Sequence, residues 1–132
     1  LIEGSIETKD IPAYWNEHYQ KYLGVTVPDD KRGCLQDVHW SHGSFGYFAT
    51  YSLGSLYAAQ LYAAILRENK SLEKEISTGD NKFLLQWLNK HVYQFGRQYT
   101  SEELCKQATG ETLNSTHFIR YATEKYTGIY GT

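Results

Sequence analysis

None of the five histidines in this 132-residue chain (18, 39, 42, 91 and 117) stands in the spacing His-Glu-x-x-His. That excludes the helical site in which two imidazoles four residues apart hold zinc beside a general-base glutamate. Methionine is absent altogether, and the chain starts at Leu1. The expectation is that a native start is missing and that upstream residues have been lost. Cysteine is scarce. Cys34 and Cys105 form neither a Cys-x-x-Cys pair nor a disulfide framework, which points to two reduced thiols in a cytoplasmic protein. No apolar run reaches spanning length and no secretory signal is visible, so no membrane partner is expected. No excess of one charge exists either: 13 Lys and Arg face 15 Asp and Glu, a formal net charge of −2. A nucleic-acid footprint is therefore not expected. The single basic cluster, Lys31-Arg32, is cancelled by Asp29-Asp30.

What is present is aromatic. Twelve Tyr, five Phe and three Trp supply large rings with polar tips, which suit clefts and interfaces. The pattern predicts an all-α chain, read as one helical piece over residues 1–132. Thr8 to Leu23 reads as a helix capped by Asp10, with Pro12 in its first turn and Gly24 at its end. Residues 34–46 are punctuated by Gly33, Gly43 and Gly46 and read as irregular. A long helix is expected from about Tyr47 to Glu68 or Asn69. Its Gly54, Ala58, Ala59, Ala63 and Ala64 allow close approach of neighbours. Shorter helices follow over 71–76 and from Lys82 to Phe95. Thr100 with Glu103 forms a capping box for a helix that stops at Gly110. Asn114 caps a last helix over 115–127, closed by Gly128.

Chemistry concentrates between Gln36 and Tyr51. An amide, a carboxylate, two imidazoles and two phenols lie within sixteen residues, interleaved with glycine. In Asp37-x-His39-x-x-His42 the three side chains could hold a metal ion. Alternatively, Asp37 accepts a hydrogen bond from one imidazole and fixes its tautomer; this second role is preferred. Tyr47 and Tyr51, spaced i, i+4 at a helix start, would share a face. Beside an imidazole, their hydroxyls suit the stabilisation of an oxyanion. As an alternative, both are core tyrosines. Gln36 and Ser44 could bind a substrate backbone or satisfy loop groups. Arg97 could clamp a carboxylate in bidentate fashion or form a structural ion pair.

The segment Gly33-x-x-Gln36-Asp37-x-His39-Trp40 resembles the Gly-x-x-Gln-Asp-x-His-Trp motif of the carboxypeptidase Taq family of metallopeptidases. The likeness continues through Phe45 to Gln60, Gly96 to Leu104 and Ala108 to Asn114. One departure is Ala49, where family members commonly carry proline. The resemblance implies an all-helical, usually homodimeric enzyme, much longer than this chain, that releases single residues from peptide C-termini with zinc or cobalt. Its metal comes from His-Glu-x-x-His and a downstream Glu, both expected upstream of this segment. The segment would then be the C-terminal quarter or so, holding no metal and inactive alone. It would supply a wall with His39, His42, Tyr47 and Tyr51 as catalytic donors and Gln36, Asp37 and Arg97 as substrate-binding groups. A second likeness, to gluzincin oligopeptidases, selects His42, Tyr47 and Tyr51, whereas the carboxypeptidase motif selects His39. His39 and Tyr51 are ranked slightly ahead. Two other classes remain open: a helical peptide-binding module without chemistry, and a self-contained metal hydrolase built on Asp37, His39 and His42.

Overall fold

The computed structural model describes residues 1 and 3–131. Helices and 3₁₀ turns are its only regular elements among the described residues; no strand occurs. The chain divides into two compact units, Leu1–Phe48 and Ala49–Thr132.

In the first unit, a 3₁₀ turn over Thr8–Asp10 leads into α1, Ile11–Leu23. Asp10 stands at the N-cap of α1, but its side chain makes no capping bond there. Its carboxylate instead accepts the Glu7 N–H at 3.0 Å, so it closes the preceding turn. Gly24 ends the helix in the left-handed conformation, at φ 67°. Three short 3₁₀ turns follow, over Asp30–Arg32, Cys34–Gln36 and Val38–His42. Asp29 holds the first of them by accepting from the Arg32 backbone and guanidinium, which pulls its carboxyl below the usual range.

The second unit contains α2 (Ala49–Glu68), α3 (Leu72–Ser77), α4 (Lys82–His91), α5 (Ser101–Thr109) and α6 (Thr116–Tyr130). Ala64, Ile65, Leu72 and Trp87 form its buried centre, flanked by Leu61, Leu66, Phe83 and Leu88 among others. Trp87 keeps its polar tip satisfied: its indole Nε1 donates to Glu68 Oε1 at 2.9 Å. The small residues of α2 split by position. Ala64 is buried, whereas a Cβ built on Gly54 meets no atom within 4 Å.

The capping box forms as expected. Thr100 Oγ1 accepts the Glu103 N–H at 3.3 Å, and Glu103 Oε2 accepts the Thr100 N–H at 2.9 Å. Asn114 Oδ1 accepts the Thr116 N–H at 3.0 Å, so it serves the start of α6. Gly128 does not close α6. The helix runs on to Tyr130 and ends at Gly131, whose N–H donates to Thr127 O at 2.8 Å. A glycine weakens a helix without ending it unless the chain takes the left-handed region there, and Gly131 is the residue that does so, at φ 70°. The helix expected from Lys82 to Phe95 is broken after His91, and residues Tyr93–Phe95 form a 3₁₀ turn.

The two thiols differ. Cys105 is buried, and desolvation pushes its thiol above the usual range; Cys34 is half-buried. Brief iodoacetamide treatment is expected to alkylate Cys34 first and Cys105 only after unfolding, read as one and then two adducts by mass.

Candidate active-site wall

Gly33 opens the site and has little room. A Cβ there would lie 2.6 Å from Val27 Cγ1, 3.1 Å from the Asp29 carbonyl oxygen and 3.3 Å from Asn16 Oδ1. A side chain at this position would lift the following turns off α1. From Gly33 the chain enters the two 3₁₀ turns that present Gln36, Asp37, His39 and His42. Gly43 terminates the second at φ 82°, a conformation glycine adopts without steric cost.

Asp37 and His39 form a dyad. His39 Nδ1 lies 2.7 Å from Asp37 Oδ1, and the same oxygen accepts the His39 backbone N–H at 3.3 Å. The side chains are 8% and 13% exposed. An ionised carboxylate only accepts, so Nδ1 carries the proton and donates. The ring orientation is thereby fixed. In neutral imidazole Nε2 is an acceptor; in imidazolium it is a donor.

Aromatic rings surround the imidazole. The Tyr47 ring centroid is 5.1 Å from that of His39, Phe48 is at 5.2 Å, and His42 stands edge-on at 5.9 Å. His42 is exposed, and its Nδ1 lies 3.1 Å from Ser44 Oγ. Gln36 is turned to its own loop, with Nε2 donating to Lys31 O at 2.6 Å. The structure thus gathers Asp37, His39, His42 and Tyr47, with Gln36 alongside.

Tyr51 and Arg97 belong to the second unit. Tyr51 is exposed in the first turns of α2, and its carbonyl accepts from Ser55 Oγ at 3.3 Å. Arg97 is exposed in the turn after Tyr93–Phe95, with no ion pair to a described acidic side chain. Tyr47 precedes α2, which begins at Ala49, so only Tyr51 of the two stands in the helix. Tyr47 stays in a turn, donating its backbone N–H to Ser44 O. Phe48 was overlooked in the sequence; its place after Tyr47 in so dense an aromatic run was the available signal.

A metal ion does not fit these residues. Among the described residues, no three His, Cys, Asp or Glu side chains converge in a group that could hold one. Asp37 Oδ1 and His39 Nδ1 bond to each other instead.

The second unit holds another imidazole–carboxylate pair missed in the sequence. His117 Nε2 lies 2.7 Å from Glu111 Oε1, and Asn114 Nδ2 donates to Glu111 Oε2 at 3.1 Å. These bonds, His117 first, hold the Glu111 carboxyl below its usual value. A depressed carboxyl stabilises the fold above its unfolded pKa, and that stability is lost as pH falls through the folded value. The urea midpoint is therefore expected to fall between pH 5 and pH 3 less steeply for Glu111→Gln than for the unmodified chain. Equal slopes would contradict the assignment.

The family model for carboxypeptidase Taq (M32) metallopeptidases matches residues 1–126. Carboxypeptidase 1 of Bacillus subtilis is 38% identical over 130 residues, covering 98% of this chain and 26% of that protein. Thermostable carboxypeptidase 1 of Thermus thermophilus is 37% identical over 131 residues, covering 99% and 26%. Among solved structures, the M32 carboxypeptidase of Deinococcus radiodurans matches with a TM-score of 0.92 at 36% identity, covering 99% of this chain and 27% of that one. Metallocarboxypeptidase 1 of Trypanosoma cruzi matches with a TM-score of 0.88 at 45% identity, covering 95% and 26%. The chain belongs to the carboxypeptidase Taq (M32) metallopeptidase family. It spans about a quarter of the length of these relatives, and its all-helical fold is theirs.

Proposed function

We propose that this segment is one wall of the active site of a metallocarboxypeptidase that releases single C-terminal residues from peptides. The observation that carries the reading is the Asp37–His39 hydrogen bond, held in a largely buried pair inside the Gly-x-x-Gln-Asp-x-His-Trp motif and ringed by Tyr47 and Phe48. In peptide hydrolysis the scissile carbonyl oxygen gains negative charge as the tetrahedral species forms. Donors already aimed at that position stabilise the charge without reorganising. The His39 imidazole is one donor; the hydroxyl of Tyr47 or Tyr51 is a second. Asp37 holds the ring. Gln36 and Arg97 are assigned to the peptide, Gln36 to its backbone and Arg97 to a carboxylate, and His42 is the alternative imidazole.

The metal, zinc or cobalt, is assigned to the His-Glu-x-x-His motif of the full-length enzyme; this assignment rests on the family resemblance. Cytoplasmic location and a homodimeric enzyme complete the proposal; they rest on the family resemblance. No helix among the described residues is long and apolar enough to cross a membrane.

The test is release of the C-terminal residue from an N-blocked dipeptide with added zinc or cobalt. The 132-residue segment alone is expected to be inactive. Activity is expected when the polypeptide bearing His-Glu-x-x-His is also present, and a chelator is expected to abolish it. Release by the segment alone would overturn the reading in favour of a metal site at Asp37, His39 and His42.

A further inference from the structure

Within the second unit, α2 and α6 enclose a groove of about 390 Å³. Ala59, Ala63 and Leu66 recur at three and four along α2, and the two alanines leave the room. The Tyr62 and Tyr121 rings complete an apolar lining. Burial first, then the charges of Glu73 and Tyr121, pushes the Tyr62 hydroxyl above its usual range. Charges of both signs rim the groove. Arg67, Lys70 and Arg120 stand against Glu73 and Glu124, all five exposed. None of the five forms an ion pair with another described residue. Arg120 precedes Glu124 by four residues on α6, the weaker order for a helical ion pair. Arg67 is already engaged: its Nη2 donates to Thr109 O at 2.7 Å, and its charge acts on Glu111, which holds His117 at the groove wall. Lys125 lies outside the lining, donating to the Tyr121 hydroxyl at 3.2 Å. Lys70 and Arg120 are thus left against Glu73 and Glu124, two charges of each sign around an apolar floor.

We infer that this groove binds a free α-amino acid with an apolar side chain, Arg120 and Lys70 receiving its carboxylate and Glu73 and Glu124 its ammonium. Charge selects the ligand class. An anion alone would meet the two glutamates, and a cation alone the lysine and arginines; a zwitterion finds an opposite charge for each of its own. Size selects a single residue, because the volume lies at the small end of ligand pockets and leaves no room for an extended peptide. The alanines, Leu66 and the two tyrosine rings take the side chain. A carboxypeptidase releases this class of molecule at every turnover. That the ligand is the enzyme's own product rests on the proposed carboxypeptidase reading; the binding itself does not.

Equilibrium dialysis of the full-length enzyme against labelled L-phenylalanine tests the inference, with a saturating dipeptide phosphonate present to occupy the active site. Saturable binding is expected. Arg120→Gln and Glu124→Gln are each expected to weaken it roughly fivefold or more while kcat/KM on an N-blocked dipeptide stays unchanged. Both side chains are exposed, so neither substitution disturbs the core, and helical circular dichroism checks this. N-acetyl-L-phenylalanine lacks the ammonium and L-phenylalaninamide lacks the carboxylate; each is expected to compete roughly tenfold less well than L-phenylalanine. Absence of saturable binding, as when upstream polypeptide fills the groove, would overturn the inference. So would binding that neither substitution weakens, or equal competition by either analogue. Failure of the carboxypeptidase reading has a different signature: no peptide is cleaved, yet L-phenylalanine still binds and Arg120→Gln still weakens it.

Discussion

Replacing His39 by alanine in the full-length enzyme is expected to lower kcat ~10²–10³-fold, about 3 kcal/mol in the barrier, with KM much less affected. An oxyanion donor works only once charge has moved onto the carbonyl oxygen. Its loss therefore appears in kcat, whereas loss of a substrate contact made equally in the ground state appears in KM. Asp37→Asn is expected to cost ~10–100-fold, as changes to groups that orient a working imidazole generally do. The amide keeps the volume of the carboxylate but accepts more weakly. Unchanged helical circular dichroism in both variants would separate chemistry from unfolding. A loss confined to KM, or full activity of His39→Ala, would refute the donor role.

The largest structural effect is expected at Gln60. Its side chain is 1% exposed and lies on the buried face of α2. Nε2 is shared among Thr109 Oγ1 at 3.0 Å, Glu111 O at 3.3 Å and Thr112 O at 3.0 Å. Oε1 accepts the Asn114 N–H at 2.8 Å. One amide thus satisfies the backbone of the turn that joins α5 to α6. Gln60→Leu keeps the volume and removes the partner of Thr112 O and of the Asn114 N–H, whereas Thr109 Oγ1 and Glu111 O keep their bond to each other. A cost of about 2–3 kcal/mol follows from orphaned buried polar groups. At a urea dependence of roughly 2 kcal/mol per molar, the midpoint is expected to fall by ~1 M or more. A midpoint within ~0.3 M of the unmodified chain would show that water or a rearranged turn replaces the amide.

Much of the second unit was legible because helix boundaries are local chemistry. Thr100 with Glu103, Asn114 before Thr116 and Gly110 after Thr109 each mark an end through groups a few residues apart. Boundaries failed where two adjacent signals competed. Asp10 could cap α1 or close the turn before it, and it closes the turn. Gly128 and Gly131 could each end α6, and the left-handed conformation falls on the second. At the site, the short spacing of Asp37 and His39 made their hydrogen bond readable. Tyr47 was misplaced because four apolar or aromatic residues, Phe45 and Tyr47 to Ala49 with Gly46 among them, do not distinguish a turn from a first helical turn. The Gln60 network and the His117–Glu111 pair were invisible for a different reason. The Gln60 bonds join residues about 50 apart, and the His117–Glu111 bond depends on the fold of the α5–α6 turn.

The most direct measurement is inhibition of the full-length enzyme by a dipeptide phosphonate, whose tetrahedral anionic group resembles the transition state. Ki would be measured for the unmodified enzyme and for His39→Ala, Asp37→Asn and Tyr47→Phe. If this segment supplies the oxyanion wall, log Ki rises in step with the loss in log kcat/KM across the series, with a slope near one. If the phosphonate binds all four enzymes equally while kcat/KM falls, the residues act elsewhere and the wall assignment is wrong.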